Sequence, residues 1–140
     1  MLHLTKLAVG VRDIPHLAEL QAERIQHDPP LRHCTRNFPR RAAEIIDGGS
    51  IYWVIAGATL VRQRILDIRP DAWKGGIACA GIVLDPILVL LAGRPAKPFQ
   101  GWRYLAPQAA PSDLSAMPKA SGADELPPAL RRELQALGLL

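Results

Sequence analysis

The strongest constraint on the fold of this chain is a succession of strand-like segments between positions 50 and 105. "SIYWVIAGA" is rich in β-branched and aromatic residues, and "TLVRQRILDI" follows it after a bend expected at Gly57. The next segments, "IACAGIVL" and "ILVLLAG", are separated by Asp85 and Pro86, and "PFQGWRYL" supplies a last strand. Because the run Ile77–Leu84 is almost entirely apolar, it predicts a strand that is buried on both faces and central in its sheet.

Two helices are predicted ahead of most of these strands. "LHLTKLAVGV" at positions 2–11 predicts a first strand, and Asp13 can cap a helix that follows over roughly residues 14–26. A second, short helix is expected to open at Pro39 and to stop at a pair of glycines, Gly48 and Gly49. We therefore predict an α+β domain with a mostly antiparallel, curved or barrel-like sheet, flanked by two N-terminal helices.

The composition of the chain changes sharply after position 105. Residues 106–126 are rich in Ala, Pro, Ser and Gly, which is typical of a flexible tether. Residues 127–140 predict an amphipathic helix that docks either on its own domain or on a protein partner. The predicted organisation is one domain over residues 1–105, a tether over 106–126 and a C-terminal helix over 127–140.

Composition and length favour a soluble protein of the cytoplasm. The chain has 140 residues, of which 49% are hydrophobic, so a globular core is expected. No secretory signal is present and there are only two cysteines, so a disulfide framework is not expected. The longest apolar stretch, residues 77–92, is interrupted by Asp85 and Pro86 and is shorter than the ~20 residues that a membrane helix needs.

The most unusual local feature is "RHCTRNFPRR", which spans positions 32–41. It holds four arginines and a histidine without any carboxylate. If a helix opens near Pro39, its free N–H groups and positive dipole end point into this segment and form an anion site. The residues of that site are Arg32, His33, Arg36, Arg40 and Arg41. The alternative is a solvated basic loop whose arginines pair with acidic neighbours, namely Asp28, Glu44 and Asp47.

A second set of arginines lies in "VRQRILDIR". On a strand, Arg62 and Arg64 share one face, and a hairpin could bring the ring of Tyr52 beside one of them. Aromatic rings beside basic side chains form the usual surface for stacking bases while holding phosphates. The alternative is structural, with Arg62 serving as an ordinary edge-strand charge.

Catalysis has less support in the sequence. Arginines around Cys34 are expected to lower its thiol pKa, so a nucleophilic Cys34 beside His33 is one hypothesis. No metal-ligand spacing occurs, and no phosphate-binding, dinucleotide-binding or nucleophile-elbow motif is found. We therefore predict neither a metal nor a cofactor.

Several sequence segments together resemble a known family. "MLHLTKLAVGVRDI", "RHCTRNFPRRAAEIIDGGSIYWVIAG", "RQRILDI", "PFQGWRYL" and "LPPALRRELQALGLL" resemble an uncharacterised bacterial family, catalogued as domain of unknown function 1489. That resemblance implies a cytoplasmic bacterial protein and brings no established activity.

The layout of a short helix, a glycine pair, "SIYWVIAG" and "VRQRILDI" is also similar to the small β-barrel domains of the PUA and ASCH superfamily. This second likeness implies binding of RNA or modified bases at a basic helix–strand junction. The Gly-x-Lys and downstream Glu-x-Arg pattern of the ASCH domains is absent, because Ser50 and Ile51 follow Gly49.

The leading hypothesis is binding of RNA or another phosphate-bearing ligand through an arginine-rich surface. Its predicted residues are Arg32, His33, Arg36, Arg40, Arg41, Tyr52, Arg62 and Arg64. One alternative is an enzyme that acts on a small anionic substrate held by the same arginines. Another is an adaptor or assembly protein that uses the C-terminal helix as its contact.

Overall fold

The structure is a computed structural model that describes residues 1–114 of the chain. It contains seven strands, two α-helices and a short 3₁₀ turn at Pro107–Ala109. The strands are β1 (His3–Leu7), β2 (Arg32–Thr35), β3 (Ser50–Ile55), β4 (Ala58–Ala72), β5 (Ala78–Leu84), β6 (Val89–Pro95) and β7 (Trp102–Leu105); the helices are α1 (Ile14–His27) and α2 (Ala42–Ile46). The predicted C-terminal helix and most of the predicted tether lie outside the described residues.

The fold is a mixed α/β arrangement built on one seven-stranded sheet. The strand order is β2–β5–β4–β3–β1–β7, and β6 pairs with β4. β1 and β3 are parallel, whereas the other pairs are antiparallel. Within residues 1–114 no strand pairing joins β2 to β7, so the sheet is not closed and the barrel-like form of the predicted curved or barrel-like sheet is not found.

The loop that follows β2 nevertheless contacts β7 at the opposite edge of this open sheet. β2 has only four residues, and the chain leaves it as a loop that reaches β7 on the opposite edge. There the indole Nε1 of Trp102 donates a hydrogen bond to the carbonyl oxygen of Asn37 at 3.1 Å. A hydrogen bond therefore joins β7 to the loop after β2, and no backbone ladder joins β7 to β2 within residues 1–114.

β4 organises the sheet because it is long enough to pair with three strands. The turn that precedes it has positive φ at Ala56 (51°) and Gly57 (83°), as in the tight hairpin turns that match the twist of strands. The bend expected at Gly57 is thus confirmed. Further along, β4 pairs with β5, whose residues Cys79–Leu84 are all buried, as the apolar run predicted, whereas Ile77 and Ala78 at the start of that run are exposed.

α1 covers one face of the sheet and closes the core. Its N-terminus is capped as predicted, since the Asp13 carboxylate accepts a hydrogen bond from the His16 N–H at 2.8 Å. Ile14, Leu17 and Gln21 are the buried residues of this helix. The core beneath it consists mainly of apolar residues from β1, β3, β4 and β5.

Candidate nucleic-acid interface

The structure divides the arginine-rich segment into two parts with different environments. Residues Arg32–Thr35 form β2 and pair with β5, whereas the remaining residues, 36–41, form a loop. The sequence predicted no strand here, because its polar residues give no clear alternation of their own. The exposed edge of the apolar strand β5 supplies the hydrogen-bonding partner that makes this segment extended.

Arg32 is held in place by acidic and carbonyl oxygens. Its Nε donates to the Asp71 carboxylate, and its Nη2 donates to the Asp28 carboxylate at 3.1 Å. Its Nη1 donates to the Pro30 carbonyl oxygen at 3.1 Å. The alternative that Arg32 pairs with Asp28 is therefore confirmed. These contacts use the guanidinium donors that a ligand would need.

Arg41 and the start of α2 are also occupied. The Arg41 side chain forms an exposed ion pair with Glu44, and its backbone N–H donates to the hydroxyl of Tyr104 at 3.2 Å. α2 begins at Ala42, three residues later than expected, and is only five residues long. The helix start that the sequence predicted as an anion site is thus a helix of only five residues. The backbone N–H that precedes it, that of Arg41, is hydrogen-bonded to Tyr104.

The Arg62 set lies on another part of the sheet. Arg62 forms a bidentate ion pair with Asp113, with both N–O distances 2.7 Å, and also donates to the Ser50 hydroxyl at 2.9 Å. This guanidinium lowers the pKa of the Asp113 carboxyl. Tyr52 lies opposite Arg62 in the ladder, as the hairpin predicted, but its ring is buried edge-on against His3. Arg64 is exposed.

His33 and Cys34 point to opposite faces of β2 and do not form a catalytic pair. The His33 ring packs edge-on against Trp53, and burial lowers its pKa to about 4. Burial and the neighbouring Cys79 raise the pKa of the Cys34 thiol to about 11. The expectation of a lowered Cys34 pKa is therefore wrong, because Arg32 is paired with Asp71 and the thiol is desolvated.

The exposed basic and aromatic residues meet at the loop and the β7 edge. We call the residues of 36–41 together with those of 97–105 the loop–β7 surface. These two ranges contain five basic residues and no carboxylate, namely Arg36, Arg40, Arg41, Lys97 and Arg103. Phe38 and Tyr104 expose 47% and 38% of their surface, although large aromatic residues are usually buried.

Contacts between and within the two ranges give this surface a defined shape. The Arg41 guanidinium lies 5.6 Å from the centre of the Tyr104 ring, and the Trp102 ring packs edge-on against Tyr104. On the other side of β7, the Arg103 guanidinium lies 4.7 Å from the centre of the Phe99 ring. The Arg41 guanidinium is shared between the Tyr104 ring and Glu44, whereas Arg103 forms no ion pair with residues 1–114, so its outer donors stay available.

Sequence reasoning placed only part of this surface. Arg36, Arg40 and Arg41 were predicted as site residues, but Phe38, Phe99, Arg103 and Tyr104 were missed. The signal that could have found them is an aromatic–arginine–aromatic run, "WRY", after a glycine. In a strand such a run is more often packing, and only the edge position of β7 leaves it exposed.

Comparison with known proteins identifies the family of this chain. A family model described as "Protein of unknown function (DUF1489)" matches residues 4–140. The chain belongs to this DUF1489 family. No curated protein and no solved structure matches the sequence, and the likeness to PUA and ASCH domains is not confirmed. The helices among residues 1–114 of this DUF1489 protein are too short or too polar to cross a membrane.

Proposed function

We propose that this protein binds single-stranded RNA through the loop–β7 surface. One observation carries the proposal: Arg36 and Arg40, which form no ion pair with any residue of 1–114, are exposed in the same loop as the exposed ring of Phe38. Tyr104 extends this combination onto the face of β7 that contacts the loop, and Arg103 lies across the β7 edge on the other face. A cytoplasmic location, where RNA is abundant, is part of the same proposal.

The physical match is between two kinds of group on each partner. Guanidinium groups bind backbone phosphates with bidentate hydrogen bonds, and aromatic faces stack on unpaired bases. A single strand exposes both its phosphates and its base faces, whereas a duplex hides the bases. The open shape of the surface, on a loop and an edge strand, suits an extended strand better than an enclosed small molecule.

The proposal changes the roles of several predicted residues. Arg32 and Arg62 are fixed by carboxylates, and we assign them to the stability of the fold. Tyr52 is buried, so it supports the sheet and does not stack on a ligand. Arg64 is exposed, but it lies on β4, three strands from β7 in the sheet.

Fluorescence anisotropy with a labelled single-stranded RNA of about 12 nucleotides tests the proposal. Changing Arg40 and Arg103 together to alanine should weaken binding and lower the slope of log K against log salt by about 1.4, because each lost phosphate contact contributes about 0.7. Phe38→Ala should weaken binding by about 1–3 kcal/mol if its ring stacks on a base.

Arg94→Ala is the matched control for the loss of charge. Arg94 is exposed on β6, which lies four strands away from β7 by the pairing order. RNA affinity and salt dependence should be unchanged in this variant. The proposal fails if the wild-type protein does not bind the RNA at low salt, or if Arg94→Ala weakens binding as much as the double variant does.

The two other hypotheses stay predictions. An adaptor role depends on the predicted helix over residues 127–140, which lies outside the described residues. An enzyme acting on an anionic substrate would need a reactive group beside the arginines, and Cys34 is unsuited to this role because of its raised pKa.

A further inference from the structure

A cavity beneath α1 is lined by none of the residues of the loop–β7 surface. It has a volume of about 100 Å³ and is walled by β1, α1, β2, β3, the end of β5 and the segment between β1 and α1. Its polar lining comes from Lys6, Gln21, Arg24, Arg32, His33 and the indole of Trp53. None of the lining residues that belong to positions 1–114 is an aspartate or a glutamate.

Lys6 is a buried cation in this lining without a compensating carboxylate. Only 9% of its surface is exposed, and its Nζ contacts the Leu7 carbonyl oxygen at 3.5 Å, the outer limit of a hydrogen bond. It forms no ion pair with the described part of the chain. Its cross-strand neighbours, Trp53 on β3 and Trp102 on β7, offer no negative charge.

An uncompensated buried charge is costly, and the desolvation of Lys6 lowers its pKa. Folded proteins rarely bury a lysine without a partner unless the position serves a ligand or a reaction. An anion that entered the cavity would remove this cost. Lys6 therefore indicates both the charge and the position of a ligand.

His33 supplies a second, independent observation. Its Nε2 is buried and has no hydrogen-bond partner within residues 1–114. Such orphaned polar atoms are rare in folded proteins and require an explanation. With a pKa of about 4 the ring is neutral at neutral pH, so a proton on Nε2 can be donated to a ligand oxygen.

The remaining polar groups shape the cavity and its entrance. Gln63 accepts from the indole of Trp53 at 2.9 Å and exchanges two hydrogen bonds of 2.7 Å with Gln21, which fixes the wall against which His33 packs. Arg24, on the exposed side of α1, has no ion pair among residues 1–114. Arg32 contributes little free charge, because it is paired with Asp71 and Asp28.

We propose that this cavity binds a small oxyanion, the phosphate or carboxylate group of a small molecule. Lys6 provides the buried positive charge, His33 Nε2 donates a hydrogen bond, and Arg24 holds the outer oxygens at the entrance. The cavity is about two thirds the size of an engineered cavity that holds benzene, so an oxyanion with a few carbon atoms fits and a nucleotide does not.

The test is a titration of the ¹⁵N-labelled full chain with inorganic phosphate and, separately, with acetate, at neutral pH and constant ionic strength. The imidazole Nε2 signal of His33 should shift and saturate with at least one of the two oxyanions, and the one that binds more tightly identifies the group. Chloride at the same ionic strength should cause no shift. Absence of a saturable shift with both oxyanions would overturn the proposal.

Two lysine variants form a matched pair. Lys6→Met should weaken the binding roughly tenfold or more, because it removes a charge in a desolvated site. It should also fold, since replacing a buried charge by an apolar side chain of similar length is often neutral or stabilising. Lys74→Met, in the exposed turn between β4 and β5, should leave the affinity unchanged. Equal affinities in the two variants would overturn the proposal.

Arg24→Gln provides a second measurement if Lys6→Met does not fold. Because Arg24 is exposed on a helix, this change leaves the core intact, and binding should weaken roughly threefold or more. Unchanged affinity in Arg24→Gln would then count against the site.

RNA binding separates this proposal from the previous one. Lys6→Met should bind the labelled RNA as the wild type does, and the Arg40→Ala, Arg103→Ala double variant should bind the oxyanion unchanged. If Lys6→Met lost RNA affinity, the cavity would be part of the RNA site and the proposal of a separate small-anion site would fail.

Discussion

At the scale of single residues, the partner of each charged side chain decides its role. Arg32 and Arg62 are half-buried and bound by carboxylates, whereas Arg36 and Arg40 are exposed and form no ion pair with residues 1–114. The sequence groups Arg32 with Arg36 because they are close in the chain. In the structure Arg32 belongs to a strand and Arg36 to a loop, so only the second is available to an extended ligand.

His33 should make the stability of the protein depend on pH. Its pKa is about 4 in the folded protein and 6.5 ordinarily, since burial and the charges of Lys6 and Arg24 disfavour the protonated ring. The unfolded chain therefore takes up a proton below 6.5 that the folded protein resists until about 4. This contribution to stability is complete above 6.5 and is lost as the pH falls towards 4.

The variant His33→Phe keeps an aromatic ring against Trp53 and removes this titration. Between neutral pH and pH ~4.5 the wild type should lose about 2 kcal/mol more of its unfolding free energy than the variant does. Urea unfolding at both pH values measures the difference, and the comparison at neutral pH controls for packing. Equal losses in the two proteins would show that His33 is not desolvated.

At the scale of elements, short connections set the positions of the strands. Gly48 and Gly49 follow the end of α2 and lead the chain into β3. The Gly49 N–H donates a hydrogen bond to the Ile45 carbonyl oxygen at 2.7 Å. A side chain at Gly49 has no space, because a Cβ would lie 2.1 Å from the Leu2 carbonyl oxygen and 2.3 Å from that of Ile45. The glycine permits α2, β1 and β3 to approach each other.

Gly49→Ala should therefore destabilise the protein by about 3 kcal/mol or more, because two backbone segments must move apart. Gly57→Ala is the matched comparison, since Gly57 has a φ of 83° with no atom near its missing Cβ. This second change should cost only about 1–2 kcal/mol, the penalty of a left-handed conformation. Thermal unfolding of the two variants gives the order, and a reversed order would refute the packing argument.

At the scale of the whole molecule, the last described residues, 112–114, pack against β6 and β4. The chain returns from β7 to β6, where the Ala92 N–H donates to the Ser112 carbonyl at 2.9 Å and Leu91 pairs with Asp113. Asp113 then forms its ion pair with Arg62 of β4. The boundary predicted at residue 105 stays a prediction, but residues 112–114 contact the sheet.

Asp113→Ala should lower the unfolding free energy by about 2 kcal/mol, because it leaves the half-buried guanidinium of Arg62 without its carboxylate. Glu44→Ala breaks the exposed ion pair with Arg41 and should hardly change stability. Urea unfolding near neutral pH compares the free energies of unfolding of the two variants.

Because Arg62 lowers the Asp113 pKa, the effect of Asp113→Ala should shrink as the pH falls below 3.8. A larger effect of Glu44→Ala would contradict this account.

Local sequence was sufficient for the elements whose own residues supply their partners. The cap at Asp13, the hairpin turn at Gly57 and the burial of Cys79–Leu84 in β5 each follow from residues that are close in the chain. Capping, turn geometry and apolar runs act over a few residues, and their physical causes are therefore visible in a single sequence. Sequence segments along the chain were also sufficient to indicate the DUF1489 family, which the family model confirms.

Tertiary structure alone decided the features that depend on distant partners. Residues Arg32–Thr35 form a strand because the edge of β5 offers them hydrogen-bonding partners. The sheet is open because β2 and β7 do not pair within residues 1–114; the loop after β2 contacts β7 instead. In the sequence, Lys6 is one polar residue of the predicted first strand, and nothing near it in the chain indicates that it is buried. It becomes the centre of a cationic cavity only when α1, β2 and β3 pack around it, since burial and the absence of a countercharge are properties of neighbours in space.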